Sequence, residues 1–177
     1  FFVHGGGNAA GDASDAYYDG TRFAGTGRAV VVTANYRLSS FGWLAQPFLS
    51  AEARRGVSGN YGLLDLLAAL RWVRRNAAAF GGDPSRVTVF GESAGGVNTC
   101  SLFASPLARG LLSGALVESG GCAQRPLSEF LSFGSTLTER AGCSHAADPA
   151  ACLRALPPAQ LLLALVVGRL ECPEEHH

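Results

Sequence analysis

Apolar and polar positions along the chain switch between two periods. Residues 29–35 (Ala-Val-Val-Val-Thr-Ala-Asn) form an unbroken, β-branched run, as expected of a strand buried on both faces. Gly42, Pro47, Gly56 and Gly59 then punctuate a loop. Beyond it, apolar residues recur at Leu63, Leu66, Leu67, Leu70 and Val73, the spacing of one helix face, with Asn60 placed to cap the start. Gly81-Gly82-Asp83-Pro84 breaks that helix, and Arg74 and Arg75 in its last turns suit the dipole. Residues 86–90 predict a second strand, Gly91 to Gly96 a turn, Val97 to Ala104 a helix, and residues 115–118 a short third strand. Strands alternating with helices imply an α/β protein, a mostly parallel sheet with helices on both faces. Past about Arg125 the pattern changes, and residues 127–141 and 150–167 read as helical with no clear strand between them. The expected organisation is a sheet core over 1–125 and a helical segment over 126–177.

Composition narrows the function classes. Of 177 residues, 47% are apolar and 16% charged, which describes a globular chain long enough for a real core. The formal net charge is zero, so nothing points to nucleic acid or an anionic membrane as a partner. The apolar stretch Leu161 to Val167 is too short to span a bilayer. Met is absent, so Phe1 is not expected to be a natural start, and the chain is expected to be a fragment of a longer protein. The five cysteines show neither a CxxC nor a Cys/His metal spacing. Cys143 and Cys152 bracket a short polar segment and either close a small loop or stand as reduced thiols.

Two glycine-rich turns carry the candidate chemistry. Gly91-Glu92-Ser93-Ala94-Gly95 fits G-x-S-x-G between a β-rich run and a helix-compatible run. In such a turn the glycines make room for a tight bend, and the serine hydroxyl is held above the sheet, facing the positive end of the next helix. A phosphate-binding P-loop would need a lysine, and the chain has none; a dinucleotide fingerprint would need G-x-G-x-x-G. Upstream, His4-Gly5-Gly6-Gly7 follows an apolar strand end and leaves a row of bare backbone N–H groups. Such donors suit the oxyanion of a tetrahedral intermediate, with the N–H of Ala94 adding another. His4 precedes the serine, whereas the order in this class of site is serine, acid, histidine; His4 is expected to orient the glycine loop.

These residues resemble the type-B carboxylesterases, a family that includes the cholinesterases. The resemblance is carried by Val3-His4-Gly5-Gly6-Gly7, Asn35-Tyr36-Arg37-Leu38 with Phe41-Gly42, and Gly59-Asn60-Tyr61-Gly62-Leu63-Leu64-Asp65. It continues through Ala69 to Val73, Phe80 to Pro84, Gly91 to Gly96, Ser105-Pro106 and Glu118-Ser119-Gly120, covering most of residues 1–121. It implies an α/β-hydrolase fold, here incomplete, and hydrolysis of a small-molecule ester through an acyl-enzyme, without cofactor or metal. Ser93 would be the nucleophile and Gly6, Gly7 and Ala94 the oxyanion hole. Glu92 and Ser119 would line the region behind the catalytic histidine, and Arg37 and Asp83 would form a structural ion pair. The segment from Ala141-Gly142-Cys143 to Cys152-Leu153-Arg154 is similar to a short disulfide loop of secreted members, which implies a Cys143–Cys152 bridge and a secretory-pathway location. The alternative is a non-catalytic, cholinesterase-like adhesion module; such modules often lack the nucleophile, and Ser93 is present. Glu129, Glu139, Asp148, His145, His176 and His177 do not follow a recognisable sheet strand, so the triad acid and histidine are expected beyond the chain end and the isolated chain is expected to be inactive.

Overall fold

A computed structural model of the chain describes residues 1–122 and 125–166. His176, His177 and the last residue of the expected 150–167 helix lie outside the described residues. Among the described residues three strands are present: β1 (Phe2–Val3), β2 (Thr88–Glu92) and β3 (Gly114–Glu118). The α-helices are α1 (Thr21–Ala24), α2 (Ser39–Trp43), α3 (Pro47–Glu52), α4 (Tyr61–Asn76), α5 (Ala94–Ala104), α6 (Leu127–Arg140), α7 (Pro149–Ala155) and α8 (Pro158–Val166). The described residues divide between two compact units, the first built from Phe1–Gly42 and the chain from Tyr61 to Cys122, the second from Trp43–Asn60 and residues 125–166.

In the first unit the strands pair in parallel in the order β1-β2-β3, with Val3 opposite Gly91 and Glu92 opposite Glu118. Val3 and Val89 are fully buried, and α5 packs across all three strands. Helix α4 forms where the apolar spacing predicts it, burying Leu66, Leu67, Leu70 and Val73. It ends in a 3₁₀ turn closed by Gly81 at φ +79, a left-handed position that favours glycine. One expectation is corrected. Residues 29–35 do not form a doubly buried strand: the run makes an isolated parallel bridge from Thr33 to Phe2, and Val30 is 37% exposed. The two-residue β1 offers too little ladder for it to continue. Along β3, Ala115 and Leu116, which point to opposite faces, are both exposed, as in an incomplete sheet.

The second unit is helical. Its core gathers Leu44, Leu49, Leu137, Cys143, Ala150 and Leu153. The expected 150–167 helix is two helices, because Pro157 lacks the N–H a continuous helix needs. Asp148 caps α7 by accepting from the N–H of Ala151 at 2.9 Å, with Pro149 in the first turn.

Candidate active site

Ser93 stands between the end of β2 and the first residue of α5, with φ +55 and ψ −121. A non-glycine residue held there costs about 1–3 kcal/mol and persists only when its surroundings impose it. The imposition is visible. The Ser93 N–H donates to the carbonyl of Glu118 at 2.9 Å, and the N–H of Val97 donates to the Ser93 carbonyl at 3.1 Å. Gly91 and Gly95 are needed for the close approach: a Cβ on Gly91 would lie 2.5 Å from the Gly95 carbonyl and 2.7 Å from that of Val3. Ala94 opens α5, so its N–H has no intrahelical acceptor.

The glycine loop comes directly to this turn. A Cβ on Gly5 would stand 2.9 Å from the Glu92 carbonyl oxygen, 3.0 Å from Glu92 Oε2 and 3.3 Å from the Cβ of Ser93. Gly6 and Gly7 follow at φ +101 and +64 and are exposed. The N–H groups of Ala9 and Ala10 both donate to the Gly6 carbonyl at 3.0 Å, which folds the loop back on itself. Among the described residues, the N–H groups of Gly6 and Gly7 donate to no backbone carbonyl.

His4 is 1% exposed. Its Nδ1 lies 2.9 Å from the Gly5 carbonyl, which only accepts, so that nitrogen carries the proton. Its ring stacks on Tyr36 at 4.5 Å, and its Nε2 has no partner among the described residues, so the ring does not hydrogen-bond Ser93. Tyr36 donates its hydroxyl to the His4 carbonyl at 2.9 Å, and burial pushes its phenol up to about 12. On the other side of the turn, Ser119 has φ +48, and a Cβ on Gly120 would lie 2.8 Å from the Ser93 carbonyl oxygen. Thus Ser93, Glu92, the glycine loop and the Glu118–Gly120 segment share one neighbourhood. His145, exposed, belongs to the helical unit.

The expected Arg37–Asp83 pair does not form. Arg37 donates from Nε and Nη2 to both oxygens of Asp65, each at 2.8 Å, and from its main-chain N–H at 3.0 Å. Asp83 instead accepts from the N–H and hydroxyl of Ser85 and from Nε of Arg86, at 2.8, 2.6 and 2.8 Å. The reason is local: an aspartate two residues before a serine satisfies its oxygens within its own turn, whereas Asp65, on the first turns of α4, meets the guanidinium fork face on.

Among the described residues there are two disulfides, each within one unit. Cys143 pairs with Cys152, nine residues apart, as the resemblance implies. Cys100 pairs with Cys122 across 22 residues, joining α5 to the segment after β3. Sequence reasoning missed that bridge, and a spacing of this length carries no signal.

A parallel sheet whose strand-to-helix turn holds a serine at positive φ beside a glycine loop defines an α/β-hydrolase. The chain matches the carboxylesterase family over residues 1–174 and belongs to it. It is 53% identical over 126 residues to a fumonisin B1 esterase of Sphingopyxis macrogoltabida, covering 71% of this chain and 23% of that protein. It is 51% identical over 119 residues to a para-nitrobenzyl esterase of Bacillus subtilis, covering 67% and 24%. A crystal structure of a Geobacillus stearothermophilus carboxylesterase superposes with a TM-score of 0.86 at 39% identity, covering 94% of this chain and 36% of that one. The chain therefore spans about a quarter of the length of these curated relatives and about a third of that solved structure.

Proposed function

We propose that the protein carrying this chain is a serine carboxylic ester hydrolase that acts on small-molecule esters. The observation that carries this reading is the placing of Gly5 against Ser93, 3.3 Å between a Cβ on the one and the Cβ of the other. Family membership supports it, and so do relatives named as esterases of fumonisin B1 and of para-nitrobenzyl esters, which share the ester as their common chemistry.

Ser93 Oγ attacks the ester carbonyl carbon. Its proton passes to a histidine outside these 177 residues, following the order serine, acid, histidine. The carbonyl oxygen becomes an oxyanion held by the N–H groups of Gly6, Gly7 and Ala94. The tetrahedral intermediate collapses as the alkoxide takes the proton and leaves, forming an acyl-Ser93. Water then attacks the acyl carbon, gives its proton to the same histidine, and the acid departs with the serine restored. Glu92 and Ser119 line the region behind that histidine, and His4 orients the glycine loop. The two disulfides support a working place in an oxidising compartment, the secretory pathway or beyond.

The test is hydrolysis of a short p-nitrophenyl ester by the whole protein. Steady turnover with a burst of p-nitrophenol, both abolished in Ser93→Ala, is the expected result. A whole protein without turnover, or turnover that survives Ser93→Ala, contradicts it.

A further inference from the structure

The glycine loop ends at Asn8, whose φ of +58 is a left-handed conformation that a side-chain-bearing residue must be held in. Three polar groups converge on Asn8. The N–H of Ser39 donates to its carbonyl at 2.6 Å, Nδ2 of Asn98 donates to its Oδ1 at 2.7 Å, and the Tyr36 hydroxyl lies 3.2 Å from the same Oδ1. Asn98 is 2% exposed and sits on α5, five residues beyond Ser93. A buried primary amide is costly unless it is satisfied. Here it is spent on the Asn8 Oδ1, at the far end of the loop, and on the Tyr36 hydroxyl oxygen beside it. The Tyr36 hydroxyl reaches the near end as well, at the His4 carbonyl.

We propose that Asn98 is a positioning residue for the oxyanion hole: by anchoring Asn8 to the helix that begins immediately after Ser93, it sets the glycine-loop amides in register with the nucleophile, with Tyr36 as the second anchor. The inference rests on the esterase reading above. Its chemistry is directional. Asn8 must accept and Asn98 must donate, so the two asparagines do not tolerate the same replacement.

The experiment compares wild type with Asn98→Asp, Asn98→Leu, Asn8→Asp, Asn8→Leu and Tyr36→Phe in the whole protein. It measures kcat and KM for a p-nitrophenyl ester and the affinity of an aryl trifluoromethyl ketone, whose serine adduct bears an oxyanion. Asn98→Asp keeps the volume and sets one acceptor against another. It lowers kcat about 10- to 100-fold with KM within about threefold, the scale of a small misplacement of catalytic groups. Ketone affinity falls in parallel with kcat/KM. Asn8→Asp, which keeps the acceptor, retains more activity than Asn8→Leu, and combining Asn8→Leu with Asn98→Leu is no worse than the worse single change. Tyr36→Phe, which opens almost no cavity, moves kcat in the same direction by less, and it keeps the proposal open to refutation if the Asn98 variants fail to fold. Wild-type kcat in Asn98→Asp, or in Tyr36→Phe where the Asn98 variants do not fold, overturns the proposal, as does a loss confined to KM, ketone affinity unchanged, or additive effects of the pair. An active wild type with these results sinks this proposal alone; a wild type that neither hydrolyses the ester nor binds the ketone sinks the esterase reading with it.

Discussion

Gly95 and Val3 approach so closely that a Cβ on the glycine would lie 2.0 Å from the Val3 carbonyl oxygen. The second residue of α5 is thereby seated on the last residue of β1, and this contact presses the turn bearing Ser93 against the root of the glycine loop. No rotamer relieves a clash between a Cβ and a backbone carbonyl. Gly95→Ala is expected to cost about 3 kcal/mol or more in unfolding free energy, the upper end of overpacking penalties. Gly56→Ala is the control: φ is +65 with open space around it, so only backbone strain of about 1–2 kcal/mol is added. Thermal or urea melts of the two variants, followed by circular dichroism, compare them.

Ser93 stores strain that a glycine would not. Ser93→Gly is expected to melt higher than wild type, by up to the roughly 1–3 kcal/mol associated with such a backbone conformation, while esterase activity disappears. Ser93→Ala removes activity equally and leaves the strain in place. A glycine variant that melts no higher than the alanine variant contradicts this view of the turn.

Acid should weaken the fold through two aspartates. Burial of Asp65 works against its charge, but the hydrogen bonds from the Arg37 side chain and main chain prevail and hold the carboxyl below its usual range. Asp83 is lowered to about 2 by the Ser85 hydroxyl, the Ser85 N–H and Arg86. A carboxyl whose folded pKa is depressed contributes stability above its unfolded value, near ~4, and that contribution is lost as pH falls through the folded value. Stability is therefore expected to decline from about pH 4 towards pH 2, and to decline less in Asp65→Asn and in Asp83→Asn. At neutral pH, Asp65→Asn should cost about 1 kcal/mol, since Arg37 is half-exposed although its contact is bidentate. Asp83, on the surface, should matter less. Urea titrations between pH 2 and 7 provide the measurement.

The two disulfides should differ in their contribution. Loop-closure entropy gives roughly 2.5 kcal/mol for Cys143–Cys152 and roughly 3.5 kcal/mol for Cys100–Cys122, because the latter closes the longer loop. Replacing each pair by serines and comparing denaturation midpoints tests the order, and peptide mapping without reduction tests the pairing itself.

The turn, helix α4 and the strands β2 and β3 are legible in the amino-acid pattern because their causes are local: glycine spacing around Ser93, a helical apolar stripe from Leu63 to Val73, and short apolar runs between turns. What escaped depends on distant partners. The run at residues 29–35 has strand composition, but the length of β1 decides whether it can pair. Asp83 looked available to Arg37 until the Ser85 turn claimed it, while Asp65 was hidden inside a helical stripe whose polar positions look interchangeable. Asn8 and Asn98 belong to no motif, and nothing in the one that holds Tyr36 points to them, since a hydrogen bond between residues 90 apart leaves no local trace.

The central claim is that the Ser93 hydroxyl is an activated nucleophile facing the amides of the glycine loop. Labelling of the whole protein with an alkyl fluorophosphonate, followed by intact mass and peptide mapping, tests it most directly. The account predicts one adduct per chain, located on Ser93 and absent after Ser93→Ala. An active, folded protein that takes no phosphonate, or takes it on another residue, would contradict it.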